Sequence, residues 1–108
     1  MAVSFDKFKE LDLRVAKILE ASRVEGSEKL LKLLIDIGNE RRQLIAGIGK
    51  VYEPESLLGR EIVVVANLDP RIIMGFESQG MLLAAHGAEG EPVLLLPEKE
   101  VPPGSKIT

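Results

Sequence analysis

Residues 31–46 read LKLLIDIGNERRQLIA. Leu31, Leu33, Ile35 and Ile37 recur at every second position, the period of a strand with one buried face. Gly38-Asn39-Glu40 breaks the pattern with turn-forming residues. Arg42-Gln43-Leu44-Ile45-Ala46 then brings the chain back, so this stretch predicts a β-hairpin. The flanks carry related signals. Leu13, Val15 and Ile18 mark a strand over residues 12–19, and a slip of phase near Ala16 predicts a bulge or strong bend. Residues 61–66, EIVVVA, are β-branched and almost wholly apolar, which predicts a central strand. Residues 81–85, MLLAA, predict another strand, and residues 92–97, PVLLLP, a short apolar one fenced by prolines.

Helical signals are brief. Ser4 can cap one turn with Phe5 and Phe8 on the same face, a turn expected to plug the bottom of a core. Residues 54–59, PESLLG, predict a second single turn ended by glycine. Short strands, glycine turns and a helical turn before the fourth strand predict an all-β fold. The matching architecture is a five-stranded barrel of the oligonucleotide/oligosaccharide-binding (OB) type.

The chain has 108 residues, which predicts a single domain over residues 1–108. Its expected parts are a barrel core over about 12–86 and a C-terminal segment over about 87–108. No 18-residue apolar run predicts a membrane span. The first residues, MAVSFDKFKE, lack the apolar centre of a signal peptide, so a cytoplasmic location is expected. Without cysteine there is no disulfide, thiolate metal site or cysteine nucleophile. Formal net charge is −3, so blanket attraction to nucleic acid is not expected, and DNA is not an expected partner. The charge is uneven, however. Residues 1–54 hold ten basic and nine acidic side chains, and residues 55–108 hold four and eight. A basic patch would come mainly from the first half.

Reaction chemistry finds little support. Gly47-Ile48-Gly49-Lys50 hints at a phosphate loop, but that loop needs a glycine where Leu44 stands and a hydroxyl where Val51 stands. A turn is the better reading. His86 is the only histidine and has no clustered acids beside it, so no metal centre or catalytic dyad is expected. Asp69 and Glu77 read as solvated loop acids. No cofactor is expected.

Val93, Leu94, Leu95 and Leu96 put apolar side chains on both faces of one strand. One face can cover the barrel and the other calls for a partner, which predicts a subunit interface and a closed twofold homodimer. Residues 77–81, ESQGM, set a polar, glycine-bracketed turn at the mouth of a buried strand. Gly75 and Gly80 let the chain turn tightly there.

Four blocks together resemble one family: DLRV at 12–15, RQLIAGI at 42–48, VVVANL at 63–68 and ESQGMLLA at 77–84. The chain resembles, over roughly residues 4–107, the tRNA-binding domain of methionyl-tRNA synthetases. That domain occurs as a C-terminal appendix, as a separate beta subunit, and as stand-alone dimeric tRNA-binding proteins. The resemblance implies an OB barrel, homodimerisation through C-terminal strands, and non-catalytic, shape-directed binding of tRNA with little sequence preference. It also implies the synthetase catalytic chain as a possible partner. Carried over by position, it implies tRNA contacts by Lys29, Asn67, Ser78 and Met81. Lys32, Arg41, Arg42 and Gln79 are further candidates because they lie on or beside the hairpin or the turn. The alternative reading is a protein-assembly module of a synthetase complex with weak or no RNA binding. The family's basic residues near 72–74 are replaced here by Ile72-Ile73-Met74, leaving Arg71 alone. Aromatics are few, Phe5, Phe8, Tyr52 and Phe76, which favours a folded RNA surface over a threaded single strand.

Overall fold

A computed structural model describes all 108 residues. Helix α1 (Phe5–Phe8) opens the chain, followed by β1 (Leu13–Arg23), β2 (Leu31–Asp36) and β3 (Arg41–Ala46). Helix α2 (Pro54–Leu57) precedes β4 (Glu61–Val65). Then come β5 (Arg71–Ile73), β6 (Phe76–Ser78), β7 (Met81–Leu82), β8 (Ala84–His86), β9 (Pro92–Leu94) and β10 (Lys106–Ile107). The main sheet runs β3-β2-β1-β4-β7, all antiparallel, and curls into a nearly closed barrel of OB type.

Strand alternation fills that barrel. Leu31, Leu33, Ile35 and Ile37 all point inward and are buried, as their spacing requires. Ala16 and Ile18 from β1, Leu44 and Ala46 from β3, and Ile62 and Val64 from β4 complete the wall. Leu57 of α2 closes one end of the core, fully buried. Burying each such Leu or Ile contributes about 1.5–3 kcal/mol. β1 serves both sides of the sheet. Leu13–Lys17 pairs with β4, and Lys17–Arg23 pairs with β2.

The bulge lies between Ile18 and Glu20 rather than at Ala16. Ala16 stays in register with Ile62. The extra residue enters where β1 passes from β4 to β2, which is where the barrel must bend. Helix α1 departs from expectation as well. Ser4 Oγ does accept a hydrogen bond from the Lys7 amide, at 3.2 Å. The helix buries no residue, though, and Phe5 is 71% exposed. α1 therefore does not plug the core; α2 does.

Strands β5 and β6 form a hairpin that the sequence does not announce. Each is three residues long, too short for alternation to show. β10 is shorter still, at two residues, and pairs with β1 at Leu13 and Arg14. The C-terminal segment is thereby woven into the barrel. Leu94 corrects the reading of 93–96 as one interface. It is 7% exposed and packs in the main core, and its amide donates to the Tyr52 hydroxyl at 3.2 Å. Val93, Leu95 and Leu96 remain exposed. Leu94 cannot contribute to a surface, because the strand alternates and this is its inward position.

Candidate nucleic-acid interface

The barrel closes between β3 and β7 without a backbone ladder. The edge donors and acceptors of β3 are met instead by the ESQG segment. Gln79 donates its amide to the Gln43 carbonyl at 2.8 Å, and its side-chain Oε1 accepts from the Gln43 amide at 3.0 Å. Gln43 Nε2 donates to the Glu77 carbonyl at 2.8 Å. Ser78 Oγ accepts from the Ile45 amide at 3.1 Å and donates to the Gly80 carbonyl at 3.2 Å. Two side chains thus stand in for a strand. The reason is elementary: an edge strand's buried N–H groups must find acceptors.

This assigns Ser78 and Gln79 a structural duty. Ser78 is 5% exposed, with its proton committed to Gly80, so it is not an open hydroxyl at a barrel mouth. Ser78→Ala is expected to lower unfolding free energy by about 1–3 kcal/mol, because it strands the Ile45 amide. Urea unfolding measures this, and an unchanged midpoint would show that the hydroxyl does not hold the seam.

Asn67 is also engaged. Its Oδ1 accepts from the Asp12 amide at 2.8 Å and its Nδ2 donates to the Glu10 carbonyl at 2.6 Å, which ties the segment after α1 to the end of β4. Arg42 donates to the Ala66 carbonyl and pairs with Glu40 at 2.6 Å, so much of its charge is spent. Nearby, the Arg14 guanidinium bonds Asp12 at 3.0 Å and holds that carboxyl below the usual carboxylate range.

The free groups are different ones. Lys29, Lys32, Arg41, Lys50 and Arg71 make no ion pair, since the three pairs present are Asp12–Arg14, Arg23–Glu53 and Glu40–Arg42. The backbone of Lys29 is fixed: its amide donates to Ser27 Oγ and its carbonyl accepts from Gly49 at 2.7 Å. Its aliphatic stem lies across Gly47, where a Cβ would come within 2.9 Å of Cε. Lys50 lines the same cleft, opposite Glu89 and Glu91. Lys32 Nζ stands 4.8 Å above the centroid of the Phe76 ring. Arg41 is exposed at the start of β3, five residues and so roughly 17 Å from Ala46, which adjoins the Lys29 side.

Met81 is exposed and borders a groove of about 540 Å³. Ile45 to Ile48 form one wall, Leu82, Ala84 and Pro92 another, and Leu68, Asp69, Arg71 and Ile73 the rim. Of the eight side chains singled out from sequence, Arg42, Asn67, Ser78 and Gln79 are held by hydrogen bonds within the fold, whereas the side chains of Lys29, Lys32, Arg41 and Met81 make no hydrogen bond or ion pair. Lys50 was hidden in sequence because GIGK read as a turn. Its nearness to Lys29 arises from the Gly49–Lys29 backbone bond. No helix is long and apolar enough to cross a membrane.

Comparison with known proteins bears on this surface. A family model described as "Putative tRNA binding domain" matches residues 13–106. The methionine–tRNA ligase of Methanothrix thermoacetophila is 60% identical over 105 residues, covering 97% of this chain and 15% of the ligase. That of Thermotoga maritima is 51% identical over 107 residues, 99% of this chain and 17% of the ligase. The chain thus spans about a sixth of the length of these curated relatives. Among solved structures, a methionyl-tRNA-synthetase-related protein of Pyrococcus horikoshii superposes with TM-score 0.94 at 34% identity, covering 100% of this chain and 99% of that one. The chaperone CsaA of Bacillus anthracis superposes with TM-score 0.92 at 36% identity, covering all of both chains. With the match running nearly end to end over a barrel of the expected topology, the chain belongs to the tRNA-binding domain family.

Proposed function

We propose that this chain binds folded tRNA by shape, without catalysis, and works as a homodimer that supplies tRNA to methionyl-tRNA synthetase in the cytoplasm, as its beta subunit. The observation that carries the RNA reading is a set of cations without ion pairs: Arg71 lines the Met81 groove, Lys29 and Lys50 line a neighbouring cleft that shares Gly47 and Pro92 with it, and Lys32 stands over Phe76. Cations of this kind bind phosphate and fix orientation, and a methionine thioether adapts to an apolar base face. Asn67, Ser78 and Gln79 serve this surface by holding its frame, and Arg41 extends it along β3. A second tRNA site raises the local tRNA concentration at a catalytic partner. The identity with ligases supports that partnership.

The test is titration of bulk folded tRNA, with unfolded RNA of equal length as control, at two salt concentrations. Tighter, salt-sensitive binding of the folded RNA is expected. Lys29→Ala is expected to weaken it about fivefold and to lower the salt slope by about one. Equal affinity for both RNAs would sink the shape reading.

A second reading has its own observation. Phe5, Leu11, Val93, Leu95 and Leu96 are large apolar side chains left in solvent, which favours protein contacts. In that reading the chain is an assembly module. Capture of a synthetase catalytic chain that survives nuclease, with no tRNA binding at low salt, would select it.

A further inference from the structure

We propose that the β5–β6 hairpin, through Ile72 of β5 and Met74 of its turn, is an apolar contact for an unstacked base of the bound RNA. This rests on the reading that the surrounding face binds folded tRNA.

The backbone supplies the first observation. Met74 and Gly75 join β5 to β6 with φ of 47° and 83°. Positive φ at both central residues is the geometry of a type I′ turn, whose first position favours Asn, Asp or Gly. Met74 is the only non-glycine residue in the chain with positive φ. A methionine there has a Cβ opposed to the left-handed region and no side-chain hydrogen bond to offset it. Burial does not offset it either, since Met74 is 54% exposed and Ile72 is 69% exposed. Strain that packing does not repay is characteristic of functional positions.

The surroundings supply the second observation. A Cβ built on Gly26 has Met74 Cε as its nearest neighbour, at 3.8 Å, so the tip reaches the loop that carries Lys29. Lys32 sits over Phe76 on the same hairpin. Arg71 begins β5 and is unpaired, as are Lys29 and Lys32. An apolar knob among free cations matches a nucleotide, with the base face on Ile72 and Met74 and the phosphates on the cations. Methionine suits the base by adapting its shape, and unstacked bases are what proteins read on folded RNA. An apolar protein surface would instead desolvate those cations without a counter-charge. Adverse charges are present as well: Glu77 is the cross-strand neighbour of Ile72, Glu25 and Glu28 are exposed in the loop that Met74 reaches, and Asp69 lines the groove with Arg71.

The experiment titrates folded tRNA against wild type, Met74→Asn, Ile72→Ser and Lys29→Ala at two salt concentrations, and records thermal unfolding of each. Met74→Asn is expected to raise Tm, because asparagine accepts the left-handed backbone. It is also expected to weaken tRNA binding by about fivefold or more, as loss of one base contact does. Ile72→Ser should weaken binding in the same direction. Neither should change the salt slope, since neither removes a phosphate contact. Affinities within twofold of wild type for both variants, with Lys29→Ala still impaired, overturn this proposal and leave the RNA reading standing. A slope that falls as far as that of Lys29→Ala also overturns it, because the loss is then electrostatic. Failure of the wild type to bind overturns both.

Discussion

Gly104→Ala is expected to cost about 3 kcal/mol or more of unfolding free energy, among the largest losses available from adding a single methyl group. Gly104 has φ of 88°, so any Cβ meets the left-handed penalty of about 1–2 kcal/mol. The new methyl would also overlap the Ile37 carbonyl oxygen, with the Ile37 carbonyl carbon at 2.8 Å and Gly38 Cα at 3.0 Å. Those atoms are backbone and cannot turn aside. Ile37 donates its amide to Glu40 at 3.0 Å, and Gly38 donates to Asp36 Oδ1 at 2.7 Å, so the β2–β3 turn is itself held. Relief would require the tail to lift. That would break the bond from the Gly104 amide to the Val15 carbonyl at 2.7 Å and the pairing of β10 with β1. Gly59→Ala is the control. Gly59 has φ of 81° but open space around its Cβ, so only the backbone penalty applies. Urea unfolding of both variants gives the comparison. Equal losses would show that the tail is not docked as described.

Leu94→Asp is expected to unfold the chain or remove about 4 kcal/mol or more, because it places a carboxylate in the core without a partner. Leu94 packs in the main cluster beside Tyr52, whose hydroxyl also accepts the Leu94 amide. Leu95→Asp, one residue on, is expected to leave the monomer's stability within about 1 kcal/mol, since Leu95 is exposed. Its effect should appear in assembly, as a fall from a two-chain to a one-chain mass in sedimentation at micromolar concentration. A wild-type mass of one chain under those conditions would remove the dimer from the proposed function. Equal destabilisation by the two variants would show that β9 is not oriented as described.

The pair also shows where sequence reading stops. The sequence 93–96 announces an apolar strand, but four successive apolar residues do not reveal which is inward. Packing on Tyr52, 42 residues away, decides it.

Sequence alone determined the strands with a buried face. Leu31, Leu33, Ile35 and Ile37 alternate, and the period-2 geometry of a strand puts them on one side whatever they pack against. The EIVVVA strand, the brief α2 turn, the Ser4 cap and the all-β barrel follow from similarly local signals. The family blocks, too, are legible as written.

Tertiary structure decided everything that depends on which distant residues meet. Ser78 and Gln79 read as polar turn residues until closure sets them against β3, where they complete the hydrogen bonding of Gln43 and Ile45. Lys50 becomes part of the cationic face only because Gly49 docks on the Lys29 carbonyl. The β5–β6 hairpin is too short to carry a period, and its exposed, left-handed Met74 is visible only in three dimensions. Local periodicity reports which way a side chain points along its own strand. What it touches, and whether its polar atoms are already spent, is settled only when the barrel closes.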